Sequence, residues 1–279
     1  MNFRKLIRRV LLGGVMLLLT ACGFHHTTSA GEYFTPENQA ALADASANGR
    51  TDTIKQLLAN GAQVNFQGKS GMTALLWAIV HQSKPGFECL LENGADPNLQ
   101  LNVDDPKLLP ITIGNSPMSV AAQFKDPWYL GMVLKHGGNP NLVNPARAMT
   151  PIDQSIESSL PEQVKTLIAA GANLNFLDRD GNTPMIIAAM ENKYDMVYDL
   201  LEAGADPSII DKWGKTLVYF IGTSRTAPAT EDYQWRSKVV DFLKAKGIDV
   251  PKVGAGPSTA PIININSTPE QYLQNNQKQ

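Results

Sequence analysis

The fold is decided by two short segments, Asp-Gly-Asn-Thr-Pro-Met-Ile-Ile-Ala-Ala at residues 180–189 and Leu-Leu-Glu-Ala-Gly-Ala-Asp-Pro at residues 200–207. In the first segment, Thr183 is suited to cap a helix whose first turn accepts a proline, because the N–H that proline lacks has no partner there. In the second segment, an apolar Leu-Leu pair closes an amphipathic helix, and Gly204 supplies the left-handed conformation that ends it. Together the two segments predict a helix, a turn and a second helix.

The same two markers recur along the chain at a nearly regular interval. The glycines that end the second helices are spaced by 33, 43, 34, 33 and 43 residues, and they are Gly61, Gly94, Gly137, Gly171, Gly204 and Gly247. The capping residue precedes its glycine by 21 residues in four units and by 31 in the last, at Thr73, Ser116, Thr150, Thr183 and Thr216. Since one such unit cannot bury its own apolar face, the sequence predicts an all-α solenoid of about six stacked helical pairs.

These segments closely resemble the ankyrin repeat, over residues 37–250. The resemblance implies helix-turn-helix repeats joined by hairpin fingers, and it implies protein binding without naming the partner. The family's usual His after Thr-Pro-Leu is missing from every repeat, so we expect a less rigid array. The two spacings of 43 residues predict insertions, one enlarging a finger at 99–113 and one separating the last two helices at 223–234.

The first 22 residues predict an exported lipoprotein. Residues 1–9 carry four cations, and residues 10–21 form an apolar run that is too short to cross a bilayer. The run ends in Leu-Thr-Ala followed by Cys22, which resembles the lipobox of bacterial lipoproteins. We therefore predict a signal peptide at 1–21 and a tether at 22–35 that is lipidated on Cys22.

Gly23, the residue after Cys22, indicates in which membrane the lipoprotein is anchored. Gly23 stands where an inner-membrane retention Asp would lie, and by resemblance to enterobacterial lipoproteins this indicates the outer membrane, with the domain facing the periplasm. The Arg8-Arg9 pair leaves export open between the general and the twin-arginine route.

The remaining chain is predicted to hold the repeat domain at 36–250 and a disordered tail at 251–279 that is rich in Pro, Asn and Gln. Without the four cations of residues 1–9, 20 basic residues stand against 26 acidic ones, and no Lys/Arg cluster is present, which argues against nucleic-acid binding. The sequence contains no HExxH, no CxxC and no nucleophile elbow, so we predict no enzymatic activity, no metal and no cofactor. The lipid anchor is the only membrane contact that we expect.

A protein partner is expected at the finger tips and at the concave ends of the first helices, as the family resemblance implies. The mixture of Arg, Met, Phe and Trp at these positions is typical of binding surfaces. The candidate contact residues are Lys69, Met72, His81, Leu108, Leu109, Phe124, Arg147, Met149, Arg179, Met190, Lys212 and Trp213. The alternative for Met72 and Met149 is packing between neighbouring fingers, and the alternative for the apolar finger is folding back onto its own array.

Small bacterial ankyrin lipoproteins with these features resemble immunity proteins that neutralise antibacterial effectors, in particular type VI secretion phospholipases. That resemblance predicts a protein that binds and blocks a secreted effector or toxin in the periplasm. Two alternatives stay open. One is a scaffold that organises or protects a resident periplasmic enzyme, and the other is a binder of a small molecule or of the cell wall.

Overall fold

The computed structural model describes residues 29–103 and 111–250, and these residues form twelve α-helices in six consecutive pairs. The helices are α1 Glu37–Ala47, α2 Thr51–Ala59, α3 Ala74–Val80, α4 Lys84–Glu92, α5 Pro117–Ala121, α6 Pro127–Lys135, α7 Pro151–Glu157, α8 Pro161–Ala169, α9 Pro184–Met190, α10 Tyr194–Glu202, α11 Leu217–Thr223 and α12 Glu231–Ala245. Short 3-10 turns lie at Ala30–Glu32 and Lys69–Gly71. No strand forms within the described ranges, where an isolated bridge joins Asn144 to Met149. The predicted all-α solenoid of six helical pairs is confirmed.

The chain divides into two compact units, Met1–Asn173 and Leu174–Gln279. The first unit contains α1 to α8, and the second contains α9 to α12. In both units the cores are built from the apolar faces of the paired helices, with side chains such as Ile54, Leu130 and Leu200 fully enclosed.

Helix capping in the first unit explains how the repeats form without the family's histidine. In α5, Ser116 and Ser119 exchange two hydrogen bonds, at 2.8 and 3.1 Å, which satisfy orphan N–H groups at the helix start. In α7, Asp153 Oδ2 accepts from the backbone N–H and from the hydroxyl of Thr150, both at 2.8 Å. Ser119 and Asp153 occupy the position of the missing His, and they close the caps locally.

A series of asparagines joins successive repeats of the first unit. Asn98 Nδ2 donates to the Gly137 carbonyl at 2.9 Å, and Asn98 Oδ1 accepts from the Asn139 N–H at 2.8 Å. Asn65 and Asn141 make the same pair of bonds to their own next repeats. Each asparagine lies four residues after a helix-ending glycine, so this inter-repeat clip recurs with the repeat itself.

The folded part of the first unit begins before residue 36, where the sequence placed the boundary between tether and domain. Tyr33 and Phe34 are each only 2% exposed, and their rings pack against Trp77 with centroid separations of 5.6 and 5.9 Å. The Lys69 N–H donates to the Tyr33 carbonyl at 2.7 Å. The packed array therefore includes Tyr33 and Phe34, because the two aromatic side chains bury their rings against Trp77.

The insertion at 99–113 is described at its two ends. The Leu101 N–H donates to the Asn115 carbonyl at 2.8 Å, the Gly114 N–H donates to the Leu101 carbonyl at 2.9 Å, and Leu101 and Ile111 are buried. The ends of the finger are thus paired and packed on their own unit, as the fold-back alternative expected for them. Leu108 and Leu109 lie outside the described residues.

The second insertion was predicted to separate the helices of the last repeat over residues 223–234, and this was only partly right. Residues 231–234 belong to α12, which has 15 residues where the other second helices have 9. Thr230 caps α12 by accepting from the Tyr233 N–H at 3.3 Å. The buried Arg236 then donates from Nε and Nη2 to the Ile221 carbonyl, at 3.2 and 2.9 Å, and joins α12 to α11.

Candidate protein-binding surface

Two of the predicted contact residues are buried. Met72 is 0% exposed and Met149 is 7% exposed, so neither is available to a partner. Each immediately precedes a capping threonine, at the point where the chain turns from the finger into the first helix, and the side chain is enclosed there. This burial contradicts the prediction of the two residues as partner contacts, and it agrees with the alternative that both side chains pack inside the array.

The other predicted residues of the first unit that the structure describes are accessible, and each contacts a different neighbour. Lys69 is exposed, and its Nζ lies 5.6 Å from the centre of the Tyr33 ring. The His81 ring packs at a tilt against the Trp77 ring, with a centroid separation of 4.5 Å. Phe124 is half-buried against Tyr129, at a centroid separation of 5.5 Å.

Arg147, the last of this group, lies on a finger and is paired within the unit. Its Nη2 forms an ion pair of 2.6 Å with Glu157 at the end of α7. This contact joins the finger to the first helix, so the guanidinium is already engaged in the free chain.

The second unit brings an exposed aromatic side chain together with basic ones. Trp213 is 56% exposed, so more than half of the surface of this large aromatic residue is open to solvent. Lys212 Nζ lies 4.6 Å from the centre of the Trp213 ring and also forms an ion pair with Asp180. Arg179 is exposed on the preceding finger, and Met190 is 38% exposed at the end of α9.

The finger that carries Trp213 is held in one conformation by a buried carboxylate. Asp211 is 2% exposed, and its Oδ1 accepts from the N–H groups of Trp213 and Lys215, each at 2.8 Å. The Asp211 N–H donates to the Lys215 carbonyl at 2.9 Å, and Gly214 takes the positive φ of 75° that the tight tip requires. A short polar side chain that bonds its own backbone two residues on is a common way to fix a turn. The indole is thus presented on a preorganised loop.

Two further aromatic residues, which are not among the predicted contacts, adjoin this tip. Tyr219 and Phe220 lie in the first turn of α11, half-buried, with their rings 5.3 Å apart. Lys215 Nζ lies 4.7 Å from the Tyr219 ring centre, 6.0 Å from that of Phe220 and 5.8 Å from that of Trp213. Trp213, Lys215, Tyr219 and Phe220 are called the Trp213 patch below. The signal available in the sequence was the aromatic pair that stands three and four residues after the cap Thr216.

A different aromatic group lies on the second helices of the same unit. Tyr198 of α10 packs against Trp235 and Phe242 of α12, at centroid separations of 5.8 and 5.9 Å. Lys238 Nζ lies 3.7 Å from the centre of the Trp235 ring. A hydrogen bond with Glu202, the largest cause, raises the pKa of the Tyr198 phenol. These three aromatic residues are half-buried, whereas Trp213 is exposed on its finger.

The described residues contain no cluster of three or more His, Cys, Asp or Glu side chains that could hold a metal ion. Among the same residues, none of the helices combines the length and hydropathy that a membrane span requires. Cys89 is a buried thiol in α4, and its burial raises its pKa. The Trp213 patch is thus an aromatic and basic surface, and no group of metal-ligand side chains lies beside it in the described part of the chain.

Comparison with known proteins identifies the fold family. The model of a family described as Ankyrin repeats (3 copies) matches residues 9–100 and 118–211, more than half of the chain. The chain belongs to the ankyrin-repeat family. The crystal structure of an ankyrin repeat domain from Acinetobacter baumannii AYE is similar to it, with a TM-score of 0.60, 29% identity, and coverage of 75% of this chain and 98% of that one.

Three related proteins show how widely this ankyrin-repeat array is shared. Protein PhlB of Serratia liquefaciens is 31% identical over 160 residues, which cover 57% of this chain and 66% of that protein. Rabankyrin-5 of Mus musculus is 28% identical over 194 residues, covering 68% of this chain and 16% of that protein. The palmitoyltransferase ZDHHC13 of Homo sapiens is 30% identical over 197 residues, which cover 61% of this chain and 31% of that protein. The chain spans two thirds or less of the length of these relatives.

The Trp213 patch lies at a position that ankyrin-repeat proteins commonly use for protein contacts. Ankyrin-repeat arrays typically act as protein-interaction scaffolds rather than as enzymes, and their finger tips and first helices are the usual contact positions. An exposed Trp next to a Tyr combines two of the residue types that contribute most to the energetics of protein interfaces.

Proposed function

We propose that this chain binds a secreted antibacterial effector, such as a type VI secretion phospholipase, and covers the active site of that effector. The observation that carries the proposal is the exposed Trp213 on a finger tip fixed by Asp211. A tryptophan that a partner covers contributes more to affinity than most other residue types. Because the tip is already ordered, little conformational entropy is lost on binding, and this favours the tight complex that an inhibitor needs.

The proposed place of action is the periplasmic face of the outer membrane. The support is the Leu-Thr-Ala-Cys sequence at residues 19–22 and the Gly that follows it. Acyl chains on Cys22 would hold the inhibitor at the membrane, since each buried CH₂ contributes about 0.8 kcal/mol. An inhibitor stationed there meets an effector as it enters the periplasm. Cys22 lies outside the described residues.

The enlarged finger of the first unit is a second contact element in this proposal. Its base is fixed by the backbone pairing of Leu101 with Asn115 and Gly114, while Val103 is 55% exposed as the chain leaves that base. A finger that most repeats of this array lack is suited to distinguishing one effector from its relatives, because an extra loop can both add contacts and exclude wrong partners.

The test is a pull-down with residues 23–279 from cells that carry their own secreted effectors, followed by mass spectrometry. We expect one secreted lipase to be recovered, and Trp213→Ala to weaken its binding by about 30-fold or more, the loss typical of an interface hot spot. The matched control is Trp235→Ala, which removes the same side chain from the second helices of the same unit and is expected to leave binding unchanged.

A toxicity assay decides between this function and its alternative. Cells that lack the gene should become sensitive to the effector, and the wild-type chain should restore resistance while Trp213→Ala should not. Recovery of resident envelope proteins alone, with no sensitivity in the deletion strain, would contradict inhibition. That outcome would leave a scaffold that organises or protects a resident periplasmic enzyme.

A further inference from the structure

The two lysines that flank Trp213 differ in what compensates their charge. Lys212 forms an ion pair with Asp180, so much of its charge is neutralised within the unit. Lys215 forms no ion pair with any residue that the structure describes. Asp211, on the same finger, is buried; its Oδ1 accepts from two backbone N–H groups and its Oδ2 has no hydrogen-bond partner among the described residues, so neither oxygen bonds the Lys215 ammonium. Lys215 is therefore the uncompensated cation of the Trp213 patch.

The surroundings of the Lys215 ammonium are aromatic rather than acidic. Its Nζ lies 4.7 to 6.0 Å from the centres of three rings, those of Tyr219, Trp213 and Phe220. The negative faces of aromatic rings attract a cation and hold it near them. Ring faces do not replace the hydrogen-bond acceptors that an ammonium with three N–H donors uses. The ammonium is thus positioned by the rings while its strong acceptors remain to be supplied from outside.

A carboxylate supplies what this arrangement lacks. It offers acceptor oxygens and a full negative charge, and a charge-assisted hydrogen bond to an ammonium is about twice as strong as a neutral one. An apolar side chain next to the carboxylate would lie on the exposed indole of Trp213 and on the half-buried rings of Tyr219 and Phe220. Charge complementarity therefore selects an occupant that is both acidic and apolar.

We infer that the Trp213 patch is a subsite for an acidic segment of a protein partner. An Asp or Glu carboxylate of that segment pairs with Lys215, and a neighbouring Leu, Met or Phe side chain covers the three rings. The inference rests on the proposed function only in its general form, that the chain binds a protein. The identity of the effector does not enter it.

The test uses the full chain in mild detergent and a displayed library of random twelve-residue peptides as the probe. Enriched peptides are expected to carry Asp or Glu within two positions of Leu, Met or Phe. Their affinities, measured by fluorescence polarisation of labelled synthetic copies, are expected to fall as NaCl is raised from about 50 to 500 mM, because an exposed ion pair is screened by salt.

The two lysines provide matched variants for this measurement. Lys215→Gln is expected to weaken the acidic peptides by about 10-fold or more, since it removes the charge that faces the carboxylate. Lys212→Gln removes the same charge from the same finger and is expected to change their affinity by less than about 2-fold, because that lysine is already paired on the surface. Lys215→Arg keeps the cation near the rings and is expected to retain most of the affinity. Retention by Lys215→Arg also shows that the finger tolerates substitution at this position.

Several outcomes would overturn the inference. Enriched peptides without acidic residues, no enrichment at all, or equal losses for Lys212→Gln and Lys215→Gln would each show that Lys215 is not a carboxylate subsite. Lys215-dependent binding to phosphatidylglycerol vesicles in place of peptides would assign the patch to a lipid surface instead. If acidic peptides bind in the expected pattern but no effector is recovered, the subsite stands and the proposed inhibition falls. If the effector is recovered but the peptides show no acidic preference, the proposed inhibition stands and the acidic subsite falls.

Discussion

Replacing Asn98 by alanine tests whether the asparagine series holds the repeats together. The substitution removes the 2.9 Å bond from Asn98 Nδ2 to the Gly137 carbonyl and the 2.8 Å bond from the Asn139 N–H to Asn98 Oδ1. Both bonds join one repeat to the next, across about 40 residues of sequence, as their separations of 39 and 41 residues show. A hydrogen bond contributes about 0.5–1.5 kcal/mol net to stability. Since water can reach the freed groups at this partly exposed position, we expect a total loss of about 1–2 kcal/mol.

The assay is equilibrium unfolding in urea, followed by circular dichroism. With a urea m-value of about 2 kcal/mol/M, a loss of 1–2 kcal/mol lowers the midpoint by about 0.5–1 M. The m-value itself should not change, because the surface exposed on unfolding is the same.

The matched control is Asn93→Ala. The Asn93 side chain donates to the Cys89 carbonyl within its own helix, at 2.7 Å, and so makes a bond inside one repeat. We expect this variant to lose less stability than Asn98→Ala. The reasoning is refuted if the two variants unfold at the same urea concentration, or if Asn98→Ala unfolds together with the wild type.

Three further predictions concern buried polar and titratable groups. Arg236→Met should cost about 1.5–3 kcal/mol in urea unfolding, since it removes two hydrogen bonds from a charged group to the Ile221 carbonyl that joins the last two helices. In residues 23–279, the thiol of Cys89 should react with Ellman's reagent at least about 100-fold more slowly in the folded chain than in urea, because burial encloses the thiol and raises its pKa. Burial raises the pKa of Tyr129 to about 12, against about 10 in an unfolded chain, so between these values the unfolded state loses its proton first and stability falls as pH rises. Tyr129→Phe should therefore lose less stability than the wild type between pH 9 and pH 11 in parallel urea titrations.

Each of these has a clear contrary result. An Arg236→Met variant as stable as the wild type would mean that the Ile221 carbonyl does not need the guanidinium. Rapid labelling of Cys89 in the folded chain would mean that α4 opens readily. Identical alkaline destabilisation in Tyr129→Phe and the wild type would assign the pH dependence to other groups.

The sequence predicted the repeats well because their signals are local. A capping Thr or Ser, a helix of fixed length and a glycine with positive φ each act over a few residues, and the structure has Thr73, Thr183 and Gly94 in these roles. The same local reasoning assigned residues 231–234 to a separating loop, but Thr230 provides a cap and α12 begins directly after it. The cap could be read from the sequence, whereas the packing of Arg236 against α11 could not.

The candidate contact residues show where the spacing pattern stops being informative. The position of Met72 and Met149 before a capping threonine placed them near a finger tip, but the pattern does not say which way a side chain turns. Both side chains are buried in the structure. Trp213 was found because a tryptophan at a tip has little core to enter, and the structure has it 56% exposed.

What the sequence by itself determined about this protein is the ankyrin-repeat array, its six helical pairs and a protein-binding class of function, since all of these follow from residue types at a nearly fixed interval. Only the tertiary structure decided which cation remains uncompensated. Lys212 is paired with Asp180, 32 residues earlier, because the second unit folds so that neighbouring fingers meet. Lys215, three residues further along the same finger, lies instead among three aromatic rings. Two lysines that look equivalent in the sequence are thus different sites, because charge compensation depends on distances between residues that the chain brings together only when it folds.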